Sequence, residues 1–179
     1  MLSKLGVLAL AAAIGLTACG GSSSSTAASP TPTPTPPFVA AESGFSAVFP
    51  ATPQKQTQNV NQAGINVTVT LYLATTNDEQ VAVGYEALPL APQGDAIVTG
   101  LDGAIAGSAK NVNGQVLSHS SVQFLGQPAE DAVVQAQGAV IHERVVFIGA
   151  KLYIFEGITT SVDAKHPAYD KLLATFKTI

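Results

Sequence analysis

The sequence predicts an α+β domain: a mainly antiparallel sheet with helices on both of its faces. Three observations predict it. Apolar residues recur with a period of two in several segments joined by short Gly- or Asn-containing links, the pattern of neighbouring antiparallel strands. In the later strands both alternating sets are apolar, with Ile141, Val145 and Phe147 on one face and Val140, Val146 and Ile148 on the other, so each face needs cover. Two segments of helical period, one in the middle of the chain and one near its end, are the available covers.

The elements follow in order. Phe45 to Phe49 alternates as a short strand until Pro50 and Pro53 end it. Ile65, Val67, Val69, Leu71 and Leu73 alternate with polar or small residues through Ala74, the clearest strand in the chain. Asn77-Asp78-Glu79 is a turn leading into a strand from Gln80 to Leu88. Pro89 and Pro92 then stop the pairing. Ile97, Leu101, Ala104, Ile105 and Ser108 fall at helical spacing, with Asp95 as N-cap. Gly100, Gly103 and Gly107 weaken that helix and give it a smooth stripe for close packing. Asn113-Gly114 turns the chain into a strand over residues 115–125, and Gly126-Gln127-Pro128 turns it again. Strands follow at 129–136, 140–148 and 152–158, linked at Gln137-Gly138 and Gly149-Ala150. A terminal helix capped by Ser161 or Asp163, with Pro167 in its first turn, presents Tyr169, Leu172, Leu173 and Phe176.

Ahead of this domain the composition changes twice. Residues 1–18 form a leader, with Lys4 at its positive start and an apolar centre from Leu5 to Leu16 that is too short to span a bilayer. Leu16-Thr17-Ala18-Cys19 resembles the lipobox of bacterial lipoproteins, in which a peptidase cuts before a diacylated cysteine. Cys19 is the only cysteine, so it forms no internal disulfide, and its expected fate is lipidation. Residues 19–44 then read as a tether, Gly- and Ser-rich at first and alternating Pro and Thr from Pro30 to Pro37. The expected partner of the anchor is a membrane. Gly20 rather than Asp follows the cysteine, which in similar lipoproteins of Gram-negative cells favours the outer membrane. The single globular domain is expected to occupy residues 45–179.

The segment Phe45-Ser46-Ala47-Val48-Phe49-Pro50-Ala51-Thr52-Pro53 resembles the opening of many small extracytoplasmic bacterial domains. Phe124-Leu125-Gly126-Gln127-Pro128-Ala129, the Gly149-Ala150-Lys151-Leu152-Tyr153 turn and the closing Ala174-Thr175-Phe176 fit the same pattern. In order of elements the domain is similar to the PsbP-like family, and that resemblance implies an α/β/α sandwich. It also implies a lumenal, periplasmic or surface accessory protein. No functional residue is carried over from the family.

Composition narrows the function further. The 179 residues carry eight basic and twelve acidic side chains, and losing Lys4 with the leader leaves a formal −5. Arg144 is the only arginine and no basic cluster exists, which argues against a nucleic-acid partner. No G-x-S-x-G occurs, and no Cys/His spacing suits zinc, so neither a metal nor another cofactor is expected. His119 is read as a simple strand histidine, since Ser120 beside it points to the other face. His142-Glu143 lacks the helix and second histidine of a zinc-protease motif; His142 with Asp131 or Glu156 is a minor metal alternative. His166, before Pro167, is read as a surface residue. One cluster stands out. A two-residue turn at Gln137-Gly138 places Asp131 opposite Arg144, and a three-residue turn from Gly149 to Lys151 would place Glu156 on its other side. Asp131, Arg144 and Glu156 would then form a charge ladder, or an anion site with Arg144 as its fork. The expected function is a lipid-anchored accessory or interaction domain binding an envelope protein or a ligand. A periplasmic hydrolase or metal-dependent enzyme is the alternative.

Overall fold

The computed structural model describes residues 36–62 and 65–179, and for residue 58 and residues 60–67 the backbone alone where described. The leader, the Leu16–Cys19 lipobox and the tether as far as residue 35 lie outside the described residues.

Two sheets carry the domain. The large one has seven antiparallel strands: β3 (Gln54–Gln62), β4 (Ile65–Thr75), β5 (Gln80–Ala87), β6 (Gln115–Phe124), β7 (Gln127–Ala136), β8 (Ala139–Phe147) and β9 (Lys151–Thr159). Their order across the sheet is β3-β4-β5-β9-β8-β7-β6. The small one joins β1 (Phe38–Ala40), β2 (Phe45–Ala47) and β10 (Lys177–Thr178) in the order β1-β2-β10. Among the described residues two α-helices, α1 (Asp95–Asn111) and α2 (Pro167–Thr175), and a short 3-10 turn at Ala41–Ser43 complete the domain. Among the described residues no helix is long and apolar enough to cross a membrane.

Tight turns set the pairing of the later strands. Leu125-Gly126 between β6 and β7 has positive φ at both positions, 52° and 74°, as a two-residue hairpin of this hand demands. Between β7 and β8, Gln137-Gly138 brings Ala136 opposite Ala139 and Asp131 opposite Arg144. Between β8 and β9 the turn holds two residues, Gly149-Ala150, because Ile148 N–H donates to Lys151 O at 2.9 Å. Phe147 therefore faces Leu152, and Glu156 faces Glu143. The three-residue turn expected from the sequence is corrected by one residue, and Arg144 lies opposite Phe155 rather than Glu156.

Alternate residues of β9 enter different cores. Leu152 and Ile154 pack with Leu101, Ala104 and Ile105 of α1, and with Ala132 and Val145. Tyr153 and Phe155 pack with Tyr169 and Leu172 of α2, with Phe45 and Phe49, and with Phe176. An added Cβ at Gly100 would lie 2.9 Å from the Phe147 ring, so α1 approaches the sheet there at a distance that only glycine permits without displacement.

Three further expectations change. The domain starts before Phe45: Phe38–Ala40 pairs with β2, Ala40 is buried, and the Phe38 ring contacts Phe49 and Tyr72 at centroid distances of 5.8 and 5.7 Å. Those apolar side chains belong to the core rather than to a tether. Strand β3, polar except for Val60, is not among the expected elements. Neither helix has the expected N-cap. Asp95 is the first residue of α1 behind Gly94, and α2 follows His166 without a local side-chain cap. Instead Glu79, from the β4–β5 turn, accepts from Ala168 N–H at 2.9 Å and Tyr169 N–H at 3.0 Å. A carboxylate there satisfies two orphan donors and opposes the positive end of the helix.

Candidate functional site

The residues singled out from the sequence divide between the two faces of the large sheet. On the face that carries Tyr153 and Phe155, two rows cross strands β6, β7 and β8. One runs Ser120–Asp131–Arg144 and the other Ser118–Val133–His142. Ser118, Ser120, Asp131, Val133 and His142 of these rows, with Tyr169 of α2, line a cavity of about 160 Å³. Its size is below the ~300 Å³ at which pockets begin to enclose drug-sized ligands.

Arg144 spends its fork inside the protein. Its Nε and Nη2 donate to the two carboxylate oxygens of Asp131, each at 2.6 Å, and its guanidinium lies 5.2 Å from the centre of the Phe124 ring. The hydrogen bond to Asp131 raises the already high pKa of Arg144. The side chains of the pair are 20% and 34% exposed, an intermediate burial at which a bidentate pair contributes more than a surface one. A second anion finds this cation already matched.

His142 and His166 lie in tilted contact beside the cavity, with ring centres 3.8 Å apart and an interplanar angle of 42°. His166 is buried, not the surface residue expected. Nε2 of His142 and both ring nitrogens of His166 have no hydrogen-bond partner in the protein. Burial, and then the neighbouring His166, lower the pKa of His142. A neutral His142 near serines has the character of a general base, but the register denies it a nucleophile. Ser118 and His142 flank Val133 on separate strands, about 10 Å apart, against the ~3 Å that proton abstraction needs.

Glu156, the third member of the expected cluster, is on the opposite face. It stands beside Glu143 across the β8–β9 pair, and both are buried. Burial pushes the Glu156 carboxyl up to about 7, and burial together with the Glu156 charge pushes Glu143 well above the usual range. Both Glu143 oxygens and the buried Ser108 hydroxyl of α1 lack partners in the protein. Two carboxyls forced together away from water hold protons near neutral pH. The structure thus joins Asp131 to Arg144 and separates Glu156 from both.

The fold is a mostly antiparallel sheet with two helices, PsbP-like in form. Among solved structures the chain is similar to the solution structure of cyanobacterial PsbP (CyanoP) from Synechocystis sp. PCC 6803, with a TM-score of 0.57. The likeness covers 80% of this chain and 92% of that one at 12% identity, so it establishes the fold alone. No family model matches the sequence, and no curated protein does.

Proposed function

We propose that this chain is a lipid-anchored extracytoplasmic accessory domain that binds another protein of the cell envelope. The observation that carries the reading is Leu16-Thr17-Ala18-Cys19, placed between an apolar leader and a Gly/Ser- and Pro-rich stretch. Acyl chains on Cys19 supply the membrane affinity, about 0.8 kcal/mol per buried CH₂. The stretch after Cys19 sets the reach of the domain and raises its local concentration at a partner. The PsbP-like fold supports an accessory role, and the architecture we assign is an α/β/α sandwich with one helix on each sheet face. Support for that arrangement comes from β9, whose successive residues alternate between the α1 and α2 cores.

Strand β6 is the surface we assign to the partner. It ends the sheet, it is exposed from Gln115 to Ser121, and Leu117 is the extra residue at its bulge. Its outer backbone groups are free to pair with an added strand. The enzyme alternative loses ground at the same place, because Ser118 and His142 stand two strands apart. The test has two arms. Labelled palmitate should enter the full chain and not a Cys19→Ser chain, which should leave the membrane fraction. A photo-crosslinking residue at Leu117 should capture one envelope protein, and one at Lys171 of α2 should not. Wild-type protein that takes no palmitate removes the anchor; equal capture from both positions removes the β6 assignment.

A further inference from the structure

We propose that Asp102, His119 and Glu130 form a binding site for a divalent cation of the zinc class. The three residues come from α1, β6 and β7, and they meet on the sheet face that α1 covers. His119 is opposite Ala132, and Ser121 is opposite Glu130, so His119 and Glu130 are diagonal neighbours on one face. Asp102 follows Leu101, which is buried against the same face.

The spacing of the donor atoms suits a small tetrahedral ion. His119 Nε2 lies 2.9 Å from Glu130 Oε2 and 3.6 Å from Asp102 Oδ1, and all three donors fall within 4.8 Å of one another. Bonds of 2.0–2.1 Å to a tetrahedral zinc place ligands about 3.3 Å apart, between the two measured values. A simple ion-pair reading fits less well. Nε2 carries at most one hydrogen, which serves Glu130 and leaves Asp102 beyond hydrogen-bond distance.

Glu130 is already oriented as a ligand. It is 4% exposed, and its Oε1 accepts from Ser121 Oγ at 2.8 Å, which turns Oε2 towards His119. Holding one carboxylate oxygen so that the other faces the ion is how a second shell orients a ligand. The remaining sides of the site are open, since the Asp102 and His119 side chains are 53% and 35% exposed. A water can complete the coordination there. The two carboxylates bring −2, which a divalent cation cancels. The mixed nitrogen and oxygen set selects zinc over manganese, and over magnesium and calcium, which take oxygen ligands. Bound metal would fasten α1 to the β6 edge.

The test uses zinc chloride and the full chain carrying Cys19→Ser, so that the free thiol takes no metal. Isothermal titration should show one saturable site, at least tenfold weaker in His119→Ala and in Glu130→Gln. His142→Ala, which removes one ring of the His142–His166 pair on the other face, should leave binding unchanged. Imidazole nitrogen shifts of His119 should report ligation through Nε2, a readout independent of any loss of stability in the variants. No saturable binding, binding unchanged in His119→Ala, or binding lost in His142→Ala would each overturn the assignment.

Discussion

Replacing Glu156 with glutamine should change how stability depends on pH. The folded protein holds this carboxyl at about 7, against an ordinary value of 4.5, because burial disfavours its charged form. Between those values the native state binds more protons than the unfolded chain, so stability falls as pH rises through the window. The gap corresponds to about 3 kcal/mol lost between pH 4.5 and pH 7.5. Glu143 adds a loss of the same sign, and His142 opposes it, since a depressed histidine pKa raises stability as pH climbs towards 6.5. The informative quantity is therefore the difference between wild type and Glu156→Gln, in which the His142 contribution cancels. The chain has no tryptophan, so urea unfolding followed by far-UV circular dichroism is the suitable assay. From pH 4.5 to 7.5 the variant should gain on the wild type by roughly 3 kcal/mol. Glu143→Gln combined with Glu156→Gln should flatten the decline further. Stability curves that run parallel over this range would refute the reasoning, because they would mean both carboxyls are already ionised and solvated.

Three other outcomes are expected. Asp131→Ala and Arg144→Ala should each cost ~2 kcal/mol, and the double mutant much less than their sum, since the bidentate pair is a single interaction; additive thermal-melt effects would contradict the pairing. Glu79→Ala should cost ~2 kcal/mol and speed amide exchange at Ala168 and Tyr169, the two donors it caps; unchanged exchange would show that the helix start needs no such partner. Phe38→Ala should cost ~2 kcal/mol by urea titration, as expected for a partly buried ring against Phe49 and Tyr72, whereas no loss would return residues 38–40 to the tether.

Much of the sheet was legible because the signals were local. Gln137-Gly138 has the chemistry of a two-residue turn, and with it the Asp131–Arg144 alignment follows by counting. The next turn was open to two readings, and one residue's difference carried Glu156 through the sheet to Glu143. Strand β3 shows little apolar alternation in its Gln- and Asn-rich sequence, and its place at an edge asks for little. Strand β1 was hidden by its position directly after a proline tract. The cap of α2 could not be found nearby, since Glu79 lies 89 residues before Ala168. His119 was placed correctly as a strand residue, but its carboxylate neighbours depend on the β6–β7 register beyond a bulge and on the docking of α1.

The small sheet gives the folding of this domain a particular order in time. Strand β2 pairs on one side with β1 and on the other with β10, about 130 residues later. Phe45, fully buried, stacks on Phe176 with ring centres 5.3 Å apart. A chain emerging from a ribosome or a secretion channel amino-terminus first thus presents Phe38, Phe45 and Phe49 long before their last partner appears. During that interval these rings are sites for a chaperone or for aggregation. Closure waits on the carboxy-terminal strand, so the domain behaves as a clasp whose two halves are delivered at opposite ends of synthesis.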